Sequence, residues 1–208
     1  MSKSTGFGNP DNLRVHGSVE VMAEWRREDY QRILRKIGRF ADKMTVRKAI
    51  NLAAKRAADA GVTETRRQIT RAYTLRPEKI KRAIRAYKYG SALSMSIGMK
   101  ISDTAHRLGR FSFSPKKPPK KPKQVISEVK RGQKDKFTKG AFVGKMPNGS
   151  IGIFEREKES RLPITSLFGP STTGMFTANK NIHDDVWEKI FDTFDKRVVH
   201  ELRRLLDG

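Results

Sequence analysis

Arg161-Leu162-Pro163-Ile164-Thr165-Ser166-Leu167-Phe168-Gly169-Pro170-Ser171 lies between the last strand-like segment of the chain and the last helix-like one. Pro163 and Pro170 each fix φ and remove a backbone donor, while Gly169 permits an unusual turn. Between them, Ile164, Leu167 and Phe168 are too apolar for an ordinary solvated loop. The stretch reads as a buried or interface-facing linker that docks the C-terminal helix onto the rest of the domain. Its candidate interface residues are Ile164, Leu167, Phe168, Gly169 and Pro170. The alternative is a hydrophobic loop that serves packing alone.

Downstream, a helix is expected from near Asp184. Val186, Ile190, Phe194, Val198, Leu202 and Leu206 step by four, joined by Trp187, Phe191 and Leu205. Asp184 and Asp185 at its start and Arg203 and Arg204 near its end complement the helix dipole. Upstream, Ala141 to Met146 and Ile151 to Arg156 predict a hairpin around Asn148 and Gly149, a favoured tight-turn pair. Gln124 to Lys130 reads as a strand with Val125, Ser127 and Val129 on one face. Leu93, Met95, Ile97, Met99 and Ile101 alternate with polar or small residues, the period of a half-buried strand.

The N-terminal half is helical in pattern. Residues 1–17, rich in Gly, Asn, Ser and Pro, are expected to be a mobile N-terminus. From Ser18 to Met44, apolar residues at Met22, Trp25, Ile33, Ile37 and Phe40 are interleaved with arginines, which predicts an amphipathic helix with a basic outer face. Thr45 is the expected N-cap of a second helix whose buried side carries Val46, Ile50, Ala53, Ala54, Ala57 and Ala58, with Gly61 a possible kink. Arg76 and Pro77 end it and start a third, basic helix over 77–88. A helix-turn-helix reader is disfavoured, because the break lacks a compact Gly-centred turn and few Asn or Gln side chains are placed to read bases.

Between the two strand regions lies Pro115-Lys116-Lys117-Pro118-Pro119-Lys120-Lys121-Pro122-Lys123. Its prolines forbid a helix and withhold donors from a central sheet, so an extended, polyproline-like arm is expected, projecting as a hairpin. Lysines suit phosphates but cannot read a base by bidentate geometry. Lys116, Lys117, Lys120, Lys121 and Lys123, supported by Arg107 and Arg110, are the candidate DNA-phosphate contacts. A solubilising loop is the bland reading of the same residues.

Composition sets the limits. The 208 residues can bury a real core, yet only 36% are hydrophobic, so a share of the chain is expected to be arm, tail or interface. The net charge is +23, and residues 106–140 carry twelve Lys and Arg against two acids. Such a charge favours nucleic acid, anionic lipid or an acidic protein surface. The absence of cysteine rules out disulfides and thiolate metal sites. With no apolar run of about 18 residues and no apolar signal-peptide core, the expectation is a soluble protein that is intracellular at synthesis.

No pattern of catalytic or metal-binding residues emerges, so no enzyme, metal or cofactor is expected. His16, His106, His183 and His200 are scattered without zinc-motif spacing. His183, Asp184 and Asp185 point in different directions at a helix start. The segment 140–146 imitates a phosphate loop but is one residue short and lacks the following Ser or Thr. Glu155, Glu157 and Glu159 interleave with Arg156, Lys158 and Arg161, which suits a salt-bridged surface.

The Pro163-Ile164, Leu167 and Gly169-Pro170-Ser171 pattern, the basic helical N-terminal half and the closing helix together resemble the minor tail protein Z family of lambda-like bacteriophages. The resemblance is clearest over 45–90 and 140–208. It implies a non-enzymatic structural subunit that completes the head-proximal end of the tail. On that basis the chain is expected in the virion, after assembly in the cytoplasm of a bacterial host. It also implies a homo-oligomer, a ring of six by family analogy, that joins tail tube or tail terminator proteins to neck and connector proteins. Genomic DNA would be a sequence-independent partner in the lumen, and no membrane partner is expected.

The fold expected is α+β: N-terminal basic helices over 18–90, a small antiparallel sheet of about four strands over 91–160 with the basic arm at 106–124, and a linker and C-terminal amphipathic helix over 161–208. Residues 18–208 would form a single domain. The alternative function is a freestanding, sequence-independent nucleic-acid-binding protein that stacks bases on Tyr87, Phe111 and Phe113.

Overall fold

A computed structural model describes residues 17–25, 43–91, 94–121, 123–137, 140–158 and 160–206. The architecture is α+β, with helices and small antiparallel sheets. The chain divides into two compact units. One contains Ile69–Ile80 and Asp103–Met175, the other Ser18–Gln68, Lys81–Ser102 and Phe176–Gly208.

The second of these units holds one long helix entire and the other up to Gln68. Helix α1, Lys43–Ala72, is undivided at Gly61 and begins two residues before Thr45, the expected cap. Val46, Ala49, Ile50, Ala53, Ala54, Ala57 and Ala58 are buried along one side. Methyl-sized side chains let a neighbouring backbone approach closely, and Gly61 takes this further. A Cβ built there would lie 2.8 Å from Ile190 Cδ1 and Cγ1. Ile190 belongs to the last helix, α4, Lys180–Leu206, which starts four residues before Asp184. Asp184 and Asp185 therefore lie past its first turn. Its buried stripe is Val186, Ile190, Phe194, Val198 and Leu202, as the spacing of four predicts.

The same unit contains a three-stranded sheet in the order β1-β3-β2. Strand β1, Gly17–Trp25, replaces the first part of the helix expected from Ser18. Val19, Val21, Ala23 and Trp25 alternate with Glu20, Met22 and Glu24, and this period of two prevails over the weaker helical one. The rest of that expected helix, 26–42, and the expected mobile residues 1–16 lie outside the described residues. Strand β2, Ile84–Ser91, cuts short the helix expected over 77–88; only α2, Pro77–Ala83, is helical. The pairing partner of β2 is β3, Ser94–Asp103, with Ile84 opposite Ile101 and Ala86 opposite Met99. Ile97, Met99 and Ile101 are buried, so the alternation of β3 places one face in the core.

The other unit is built from short strands rather than one four-stranded sheet. Strands β4, His106–Arg107, and β11, Phe168–Gly169, form one pair. Strands β5, Ser112–Ser114, β6, Val125–Glu128, and β7, Asp135–Phe137, form a second sheet. Strands β8, Ala141–Lys145, β9, Ile151–Arg156, and β10, Ile164–Ser166, form a third. The expected 141–156 hairpin is present, and Gly149 at φ 81° supplies the left-handed residue that its turn needs. Leu108, Phe111, Phe113, Val125, Val129, Val143, Ile153 and Phe154 are buried in this unit. A short helix, α3, Thr172–Thr177, follows β11.

Candidate functional site

The Lys/Pro segment is the tip of a hairpin. Strands β5 and β6 pair antiparallel, with Ser112 opposite Glu128 and Ser114 opposite Ile126, so residues 115–124 form the connecting loop. Phe113, Val125 and Val129 are buried beneath it. The Thr74 hydroxyl ties the base of the hairpin: it donates to the Glu128 carbonyl and accepts from Ser112 N at 3.0 Å. Thr74 N donates to the Val129 carbonyl at 3.0 Å, and Arg131 N to the Ala72 carbonyl at 2.9 Å. A strand pair anchored at this end holds a proline-rich loop outward, because the prolines cannot fold back into a ladder.

Lys116, Lys117, Lys120, Lys121 and Lys123 are all exposed on that loop. Lys116 Nζ sits 4.7 Å from the Phe113 ring centroid, a cation–π contact that orients one lysine without neutralising it. Arg107 and Arg110 are exposed on the segment just before β5. The guanidinium of Arg110 is partly engaged, with Nη1 3.2 Å from His106 Nδ1. Two of the three candidate stacking residues, Phe111 and Phe113, are only 4% and 9% exposed and serve the core rather than a base platform, while Tyr87 is half-buried.

Sequence reasoning missed the polar cluster beneath Arg110. His106 is buried, and its Nε2 lies 2.9 Å from Asp103 Oδ2 and 3.2 Å from Thr172 Oγ1. Arg110 has only donors to offer, so Nδ1 accepts and the ring proton sits on Nε2, directed at Asp103. Asp103 also accepts from Thr172 N at 3.1 Å and Thr173 N at 3.3 Å, closing the start of α3. Burial pushes the Asp103 carboxyl up, but the hydrogen bonds from His106 and Thr172 outweigh it and hold the carboxyl below the ordinary aspartate range. Thr, His and Asp do not form a nucleophile relay, because hydroxyl and carboxylate approach the same ring nitrogen. The one local signal was Asp103 and His106 at spacing three; Thr172 is 69 residues further on than Asp103.

The 161–171 stretch is not a loop but two strands separated by one residue. Ile164 pairs with Arg156 on β9, while Phe168 and Gly169 pair with Arg107 and His106 on β4. Leu167 links the two ladders: its carbonyl accepts from Leu108 N at 2.8 Å and its N–H donates to the Ile153 carbonyl at 3.1 Å. Gly169 has no positive φ. Its smallness serves contact instead, since a Cβ there would stand 2.8 Å from the Phe111 ring. Gly169 is buried, and Ile164, Leu167, Phe168 and Pro170 are half-buried.

Charged side chains of both signs also gather between the two long helices. A groove of about 550 Å³ is lined by Glu64, Arg67, Gln68, Asp185, Glu188, Lys189 and Asp192. Arg67 bonds Glu64 through two nitrogens, and Gln68 bridges Glu64 to Asp185. His183 accepts from the Trp187 indole at 3.0 Å. Among the described residues, no three His, Cys, Asp or Glu side chains are grouped to hold a metal ion, and no helix is long and apolar enough to cross a membrane.

The sequence profile of the prophage minor tail protein Z (GPZ) family matches residues 28–207. No curated protein and no solved structure matches the chain. The chain therefore belongs to the prophage minor tail protein Z family, a family of structural phage tail proteins rather than of known enzymes.

Proposed function

We propose that this tail protein completes the head-proximal end of the tail as a ring between the tail tube and the neck. In that ring the Lys/Pro hairpin meets DNA phosphates in the lumen. The observation that carries the DNA part is the hairpin: five exposed lysines on a loop held out by paired strands. Lysine binds phosphate as a point charge, so such a loop lets DNA of any sequence pass. The partly exposed edges of Ile164, Leu167, Phe168 and Pro170 would contribute contact to neighbouring tail or connector proteins. A freestanding binder that stacks bases is disfavoured by the burial of Phe111 and Phe113.

Light scattering of the nuclease-treated protein at high salt, with and without purified tail tubes, tests the ring. A closed oligomer in either condition is expected. A species that stays monomeric with tubes present yet shifts DNA at low salt would overturn it. For the lumen contact, Gln replaces Lys116, Lys117, Lys120, Lys121 and Lys123 together. Assembled tails are expected to retain DNA poorly and infectivity to fall; unchanged retention and infectivity would remove the loop from DNA contact.

A further inference from the structure

Large apolar side chains exposed among the described residues are few, and most of them lie on the two long helices. Met44 is 59% exposed and Leu52 38% on α1; Phe191 and Val199 are each 51% exposed on α4. Residues three and four apart share a face of a helix, and eight residues span about 12 Å. Met44, Lys48, Leu52, Lys55 and Asp59 therefore lie along one line of α1. Asp184, Glu188, Phe191, Asp195 and Val199 lie along one line of α4. All ten are exposed.

The two lines match when one is read backwards. From Asp59 down to Met44 the steps are four, three, four and four, the same as from Asp184 up to Val199. Antiparallel alignment sets Lys55 against Glu188, Leu52 against Phe191, Lys48 against Asp195 and Met44 against Val199. Two apolar pairs thus alternate with two opposite-charge pairs. Only the end pair, Asp59 with Asp184, is repulsive. Glu188 stands at the edge of its line, where it also borders the groove beside Glu64, Arg67 and Gln68 of the same chain.

We infer that the outer face of α1 in one copy docks on the outer face of α4 in the next. This rests on the ring reading above and names its subunit contact. The surfaces differ, so the contact is head-to-tail, the kind that closes a ring when the rotation per copy permits. It also places the acidic side of α4 against a chain that is otherwise strongly basic, which opposes self-repulsion on assembly.

The test uses two full-length variants, Lys48→Glu with Lys55→Glu, and Glu188→Lys with Asp195→Lys. Each places like charges across the contact when alone, while an equal mixture restores opposite charges at every contact. Light scattering, with and without tail tubes, is expected to show wild-type assembly, an association constant at least about tenfold weaker for each variant alone, and recovery on mixing. Recovery on mixing also proves both variants folded. If the wild type assembles and either variant alone assembles as well, the α1–α4 contact is overturned while the ring reading stands. The same holds if the mixture fails to recover. A wild type that never assembles removes the ring and this contact together.

Discussion

Where Gly61 meets Ile190, two helices touch with almost no side chain on one of them. Where Gly169 meets His106, in the other unit, two short strands are pinned by a buried imidazole, a carboxylate and two Thr backbone donors. The first contact is made mainly by volume: the seven buried Val, Ile and Ala side chains of α1 and the apolar stripe of α4 carry no polar atom, and the Gln68 bond to Asp185 lies beside them. Ladders of two or three residues bury little by themselves, so the second contact borrows polar groups. Long helices with a regular period can rely on shape, whereas a patchwork of short strands must rely on specific partners, and the two should fail under different insults.

The largest effect is expected at the helix contact. Ile190→Ala removes a fully buried side chain and should cost about 3 kcal/mol in urea unfolding. Gly61 gives the same contact a sign. In the wild type Gly61→Ala drives a methyl into Ile190 and should destabilise. In the Ile190→Ala background the methyl has room, and the helix propensity of alanine should stabilise by up to about 1 kcal/mol. A destabilisation that persists in that background would mean that Gly61 serves something other than close approach.

Gly169→Ala tests the strand unit by volume and should cost about 2 kcal/mol, because the new Cβ meets the Phe111 ring at 2.8 Å and Leu108 at 3.2 Å. The cost should shrink when Phe111 is replaced by Leu. If it does not, backbone conformation rather than packing demands glycine at this position.

Legibility in the sequence followed the same division. The buried faces of α1 and α4, the alternation of Ile97, Met99 and Ile101, and the Asn148-Gly149 turn are local patterns, and all are present in the structure. The hairpin under the Lys/Pro loop was legible for the same reason. Strand β2 was not, since Ile84, Arg85, Ala86 and Tyr87 suit a helix and only pairing with β3 makes them extended. In β1 the alternation of Val19, Val21, Ala23 and Trp25 was there to be read, but an overlapping helical pattern obscured it. Strands β10 and β11, of three and two residues, are too short to show any period. The Asp103, His106 and Thr172 cluster is assembled by the tertiary fold, so beyond Asp103 and His106 at spacing three its members carry no shared signature along the chain.

That cluster gives the smallest and most discriminating prediction. Asp103 is held below the ordinary aspartate range in the folded protein, so its charged form favours folding. The contribution is complete above the ordinary aspartate range and is lost as pH falls through the depressed folded value. Asp103→Asn keeps the shape but turns an NH2 toward groups that are themselves donors. At neutral pH it should therefore cost about 1.5 kcal/mol. Protonation of Asp103 in the wild type weakens the same bonds, so the gap between wild type and variant should narrow as the solution is acidified past that range. Ile190→Ala removes an apolar side chain that packs on Gly61, neither of which titrates, so it should keep its full deficit relative to the wild type at every pH where both fold. Urea titrations of the three proteins at neutral and acid pH separate the two. If the Asp103→Asn deficit is as large in acid as at neutrality, the carboxylate charge contributes nothing, and the strand unit is held by packing just as the helices are.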